Sequence, residues 1–275
     1  MICAVVYPNV ICGGLIMKKA NFFSTAILIF LASISLQQPA GGICQTALEP
    51  ALQEQENHPG LGNPVIHKIT DDVWGIVNLY HTAKDFYVNA GIVFTGSSVV
   101  FIDSGMTIAS AEFMWNAAQE RMKGDEKLYL IFTHNHSDHI FGARVFKERG
   151  AKIIGHQDLT VELADDNGFY KKFISDRMKW DAQTADRILG DVIVYVPDEC
   201  IDKDTVLNID GTEIQILCTP GHVDNEISVY VPHARALFAG DAIYEGTDLT
   251  TRFGGPDEWR QWIAGLERLK KLREK

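Results

Sequence analysis

The apolar positions of the chain change their period near residue 105. Before it, residues 73–79, 92–95 and 99–103 form short β-branched runs, the last two separated by Gly96-Ser97, a pattern that predicts a meander of strands. After it, Ile108, Ala111, Met114, Trp115 and Ala118 recur at helical spacing within residues 108–122, and residues 127–133 form another strand. Strand and helix then alternate, so the chain reads as an α/β domain that begins near Val65. Residues 157–192 read as a helical insertion with Phe169, Tyr170, Phe173, Met178 and Trp180, which either packs a satellite core or roofs a site. A last amphipathic helix covers residues 257–275 through Trp259, Trp262, Ile263, Leu266 and Leu269.

The first 40 residues have a different character. Their only charges are Lys18 and Lys19, followed by the apolar run 22–36 and by small residues near Pro39 and Ala40, the pattern of an export signal. That run is shorter than the roughly 20 residues a membrane-spanning helix needs, so no stable membrane insertion is expected after cleavage. Residues 1–40 are therefore set apart from the fold, and the mature protein is expected to be periplasmic or secreted. Met17 directly precedes the two lysines and is the expected true start. A lipid anchor on Cys44 is disfavoured, because Ile43 stands where a small residue is wanted. Residues 41–64 read as a linker.

The 275 residues, 46% hydrophobic and 22% charged, suit one catalytic domain over residues 65–275. The formal net charge of −11 becomes −13 once the two signal lysines are removed. So acidic a body repels polyphosphate, which argues against nucleic-acid partners and against a membrane-surface role. Cys200 and Cys218 either pair or remain free thiols, and the sequence leaves both open.

The candidate chemistry lies at strand ends. Four apolar runs stop in polar loops, at Asp103-Ser104-Gly105, at Thr133-His134, at Thr219-Pro220-Gly221-His222 and at Gly240-Asp241. Loops at the carboxyl ends of strands converge along one edge of a layered α/β fold, where ligands collect. The hexapeptide His134-Asn135-His136-Ser137-Asp138-His139 packs three imidazoles and a carboxylate into six positions. Histidines two apart on a tight loop can aim at one ion. Asp138 and His139, opening a helix expected to run to Arg149, can turn to a second. Neutral imidazole with carboxylate suits zinc, with iron or manganese as further options. His58, His67, His81, His156 and His233 lack such a context and are not expected to be ligands.

This hexapeptide resembles the signature of the metallo-β-lactamase superfamily, and the similarity runs from Val65 to Lys275 through Asp103, the Thr-Pro-Gly-His222 segment and Gly240-Asp241. The resemblance implies a four-layer αββα sandwich with its site at the edge where two sheets meet. It implies that His134, His136 and His222 bind a first metal, that Asp138 and His139 bind a second, that Asp241 bridges both, and that Asp103 supports the metal loop by hydrogen bonding. The implied reaction is hydrolysis by a metal-bound hydroxide, with Asp138 as the catalytic residue that orients the water. Aspartate at 241, where penicillinase-type members carry cysteine or serine, is similar to the thioesterase, lactonase and glyoxalase II branches. An ester, lactone, thioester or amide is thus the expected substrate, ahead of a β-lactam. Loop 80–89, with His81, Phe86 and Tyr87, corresponds to a substrate-covering loop. Two-metal members carry one more histidine after the last helix, and this chain has none beyond His233; the domain is therefore expected to be incomplete at its C-terminus. A single-iron sulfur dioxygenase, or a non-catalytic metal-binding protein, are the alternatives.

Overall fold

The computed structural model describes residues 4–6, 62–79, 88–164, 168–243, 251 and 254–272. The expected signal from Met17 onward, the linker up to residue 61, His58, His81 and most of the substrate-covering loop, residues 80–87, lie outside them. In chain order the elements are β1 (Ala4–Val6), β2 (Val65–Lys68), β3 (Val73–Val77), β4 (Ala90–Phe94), β5 (Ser98–Ile102), α1 (Ile108–Gln119), β6 (Lys127–Ile131), α2 (Ser137–Ile140), α3 (Ala143–Lys147) and β7 (Lys152–His156). They continue with α4 (Leu159–Glu162), α5 (Phe169–Met178), α6 (Ala182–Leu189), β8 (Glu199–Ile201), β9 (Thr205–Ile209), β10 (Thr212–Cys218), β11 (Ile227–Val231), β12 (Ala236–Phe238) and α7 (Pro256–Leu272).

Two sheets result. The first has strand order β2-β3-β4-β5-β6-β7-β8, antiparallel up to β5 and parallel beyond it. The second, β1-β12-β11-β10-β9, is antiparallel throughout. Strand β5 shows why they stack. Its side chains alternate by the period of two, so Val99 and Phe101 face the helices while Val100 and Ile102 face the second sheet. On the helical side Phe101 meets Phe146 of α3 at 4.4 Å between ring centroids, and Met114 of α1 joins the same core. Between the sheets Val100, Ile131 and Val93 pack with Ile214, Ile216 and Val229. On the far face Leu269 of α7 covers Tyr230 and Leu237. These are four layers, α, β, β and α, as expected, and each fully buried aliphatic or aromatic side chain contributes roughly 1.5–3 kcal/mol.

Polar contacts tie the two sheets together at their turns. The Asp210 carboxylate, between β9 and β10, accepts from Thr95 Oγ1 at 2.6 Å and from the Ser97 N–H at 2.9 Å, between β4 and β5. His233 meets Asp72 at 2.9 Å.

Three details differ from the sequence reading. The helix expected to run from Asp138 to Arg149 is two helices, α2 and α3, broken at Phe141-Gly142. Gly142 lies so close to the loop after β5 that a Cβ there would sit 2.1 Å from the Ser104 carbonyl oxygen, and its N–H donates to Gly105 O at 3.1 Å. Residues 4–6, assigned with the signal, pair with β12, whose edge would otherwise present unpaired backbone groups. The apolar stripe of α7 is only partly used: Trp262 and Leu269 are buried, whereas Trp259 and Ile263 are exposed. Cys200 and Cys218 are both free thiols, the former exposed. Among the described residues no helix is long and apolar enough to cross a membrane.

Candidate metal centre

The loops that follow β5, β6, β10 and β12 meet at one edge of the sandwich. Each is set by local chemistry. After β5, Asp103 takes φ 58°, a left-handed conformation that aspartate tolerates and that turns its carboxylate back across the end of β6. That carboxylate accepts from the Thr133 N–H at 2.8 Å, from Thr133 Oγ1, and from His139 Nδ1 at 2.8 Å. Ser104 completes the hold on His139, donating to its carbonyl from both the backbone, at 2.7 Å, and the hydroxyl, at 2.9 Å. Since a carboxylate only accepts, His139 carries its proton on Nδ1 and turns Nε2 toward the site.

His134 is fully buried, with Nδ1 3.1 Å from Thr133 Oγ1. Its Nε2 is buried and has no hydrogen-bond partner. A buried ring nitrogen left without a partner costs free energy unless something else takes its lone pair, and a cation would. His136 directly precedes α2 and brings Nδ1 to 3.0 Å from His222 Nε2. His222 is placed by α7, because Trp262 packs where any side chain on Gly221 would stand, a Cβ there falling 2.3 Å from the indole, and Trp262 Nε1 donates to Ala242 O at 2.8 Å. One helix therefore braces both the His222 and the Asp241 loops.

Ligand atoms of His134, His136, His222 and Asp241 all lie within 4.8 Å of one another, a set that could hold one metal ion. Asp241 faces two ways, Oδ2 lying 3.3 Å from His222 Nε2 and Oδ1 3.2 Å from His139 Nε2. Asp138 stands beyond, its carboxylate 3.8 Å from His139 Nε2 and partly open to solvent. The structure thus brings together all seven residues singled out in the sequence. His67, His156 and His233 lie elsewhere, the last two against Asp158 and Asp72.

Electrostatics divides the imidazoles. Burial, reinforced by neighbouring histidines, holds His134 well below the usual range and His136 down to about 3, so both are neutral and offer lone pairs near pH 7. Burial opposes a charge on His139 as well, but the carboxylates of Asp103, Asp138 and Asp241 outweigh it and raise its proton affinity well above the usual range. Burial also pushes the Asp241 carboxyl up, and His139 with the other imidazoles overrides this, holding it well below the carboxylate range. Neutral nitrogens and an ionised carboxylate are the donors a divalent cation takes.

Sequence reasoning missed three residues. Glu226, fully buried at the start of β11, accepts from the Asp241 N–H at 2.6 Å and lies 3.8 Å from His134 Nδ1. Its signal was an acid placed four residues after His222 at the mouth of an apolar strand. Asn225 and Glu162 join the two histidine-bearing loops through side-chain hydrogen bonds, and nothing in their spacing pointed to that.

Comparison with known proteins agrees with this geometry. The family model described as "Metallo-beta-lactamase superfamily" matches residues 83–275. The chain is 23% identical over 212 residues to the Beta-lactamase-like protein 2 homolog of Caenorhabditis elegans, covering 75% of this chain and 60% of that protein. It is 26% identical over 119 residues to the hydroxyacylglutathione hydrolase GloC of Haemophilus influenzae, covering 42% and 50%. The matched stretches thus span 50–60% of these relatives' lengths. Among solved structures, a metallo-beta-lactamase from Pontibacter korlensis superposes with TM-score 0.59 at 20% identity, over 76% of this chain and 88% of that one, a likeness of fold.

Proposed function

Because the chain belongs to the metallo-beta-lactamase superfamily, whose model matches it over residues 83–275, we propose that it is a metal-dependent hydrolase of a small ester, lactone, thioester or amide, with zinc as the metal. One observation carries the reading: three imidazoles and a carboxylate from three different strand ends converge within 4.8 Å, and His134 Nε2 is buried there without a hydrogen-bond partner. Relatives named hydroxyacylglutathione hydrolases, from Haemophilus influenzae and Synechococcus, favour an acyl compound over a β-lactam.

In this reading His134, His136, His222 and Asp241 hold the first ion, and His139 and Asp138, with a share of Asp241, hold a second. When bound, a divalent cation would lower the pKa of a water to near neutrality and polarise the substrate oxygen. The protein's own groups do the rest. Asp103 fixes the ring of His139 and the proton on its Nδ1. Asp138, the solvent-facing carboxylate of the cluster, accepts a hydrogen bond from the attacking water and can take its proton. The burial of His134, His139 and His222 keeps bulk water from the donor atoms.

The test is hydrolysis of a panel containing a lactone, an acyl thioester and a β-lactam by zinc-loaded protein and by Asp138→Asn. Turnover of the lactone or thioester that falls 100-fold or more in the variant supports the proposal. One iron per chain in the purified protein, with no hydrolysis of any panel member, would sink it in favour of an oxidative role.

A further inference from the structure

The helical insertion between β7 and β8 touches the metal loop with polar groups as well as apolar ones. The hydroxyl of Tyr170, on α5, accepts from the Ser137 N–H at 2.8 Å and donates to the Asn135 carbonyl at 3.1 Å. Those two peptide groups flank His136, so a single hydroxyl sets the backbone on both sides of one candidate ligand. Its ring is held in turn by Phe141, at 5.1 Å between centroids in an edge-to-face contact. One helix earlier, the Glu162 carboxylate accepts from Asn135 Nδ2 and from Asn225 Nδ2, the latter at 2.8 Å, while Asn225 Oδ1 accepts from the Asn135 N–H at 3.2 Å. Asn135 lies between His134 and His136, and Asn225 lies three residues after His222. The three side chains close a ring that ties the two histidine-bearing loops together.

Apolar packing alone does not require these contacts. Leu159, Leu163, Ile174 and Leu189 already bury the insertion against the main core, and Glu162 is on the surface. From this placement we propose that the insertion is a clasp for the metal centre, with Tyr170 and Glu162 as positioning residues that hold His136 and His222 at the mutual separation a cation needs. The proposal rests on the metal-centre reading above. Neither residue is a ligand. Each acts through the loop it holds, as outer partners of metal ligands do, where loss of one partner typically costs 10–100-fold in affinity.

The experiment measures the zinc Kd by chelator competition, and the visible absorption of cobalt-substituted protein, in Tyr170→Phe, Glu162→Ala, Leu189→Ala and His134→Ala. Tyr170→Phe keeps the ring and Glu162→Ala removes a surface side chain, so either variant can carry the test if the other fails to fold. The clasp predicts that both raise the zinc Kd about 10-fold or more and shift the cobalt bands, with the metal-free thermal midpoint of Glu162→Ala unchanged. Leu189→Ala, which loosens the same insertion at a buried core position, should lower the midpoint and leave the bands in place. Parental Kd and bands in both Tyr170→Phe and Glu162→Ala would overturn the clasp alone, provided His134→Ala loses zinc. Unaltered zinc binding in His134→Ala would overturn the metal-centre reading, and the clasp with it.

Discussion

Asp103 and His139, 36 residues apart in sequence, share a buried hydrogen bond of 2.8 Å between Oδ2 and Nδ1, and the other oxygen of Asp103 takes the Thr133 N–H at 2.8 Å. The aspartate uses both oxygens at once, one on each side of the metal loop. Asp103→Asn keeps the shape but offers only one acceptor, so it must release Thr133 or His139. The expected outcome is a 10–100-fold loss of affinity for the second metal, read by titration with zinc, with the first site less affected.

Glu226 supports the centre from beneath. Its Oε1 receives the Asp241 N–H at 2.6 Å, whereas Oε2 is buried with no hydrogen-bond partner. Glutamine keeps the one acceptor in use. Glu226→Gln should therefore unfold at nearly the parental denaturant concentration, while Glu226→Ala leaves a buried N–H unpaired and costs about 1–3 kcal/mol. Equal midpoints for the two variants would contradict the role given to this carboxylate.

Asp210 makes the acid limb of stability testable. Hydrogen bonds from Thr95 first, then Ser98 and Ser97, lower its carboxyl well below the usual range. A group whose pKa is lower in the folded state stabilises the fold above its unfolded value, near 4, and that stabilisation disappears as pH falls through the folded value. Asp210→Asn should thus melt below the parent at pH 7, with the difference narrowing as the pH is lowered beneath about 4. A difference independent of pH would show that the charge of Asp210 has no part in joining the two turns.

Much of this arrangement was legible in the sequence, and for a physical reason. Metal ligands at strand ends carry a short-range signature, so His134, His136, Asp138 and His139 stood out by spacing and His222 and Asp241 as strand-end candidates, while the full ligand set and the four layers came from the resemblance those residues carry. What the sequence concealed depends on contacts between distant segments. The break at Gly142 comes from the backbone of residues 104–105, more than 35 positions away, pressing where a Cβ would stand. Tyr170 read only as an aromatic that packs a satellite core or roofs the site, because a hydroxyl reaching two peptide groups 33 and 35 residues away leaves no periodic trace. Glu226 sits at the mouth of an apolar strand, where its charge marks it as unusual but does not say which N–H it meets.

The central claim is that His134, His136, His222 and Asp241 form a metal site. The most direct measurement is metal content and zinc affinity of the purified protein beside His134→Ala and His222→Ala. With either imidazole gone the ion would keep only two imidazoles and a carboxylate oxygen, and loss of a direct ligand weakens binding by more than the roughly 10–100-fold that loss of an outer partner costs. We predict at least one tightly held zinc per parental chain, and loss of that ion from both variants while their circular dichroism stays parental. Unchanged stoichiometry and affinity in either variant would contradict the account.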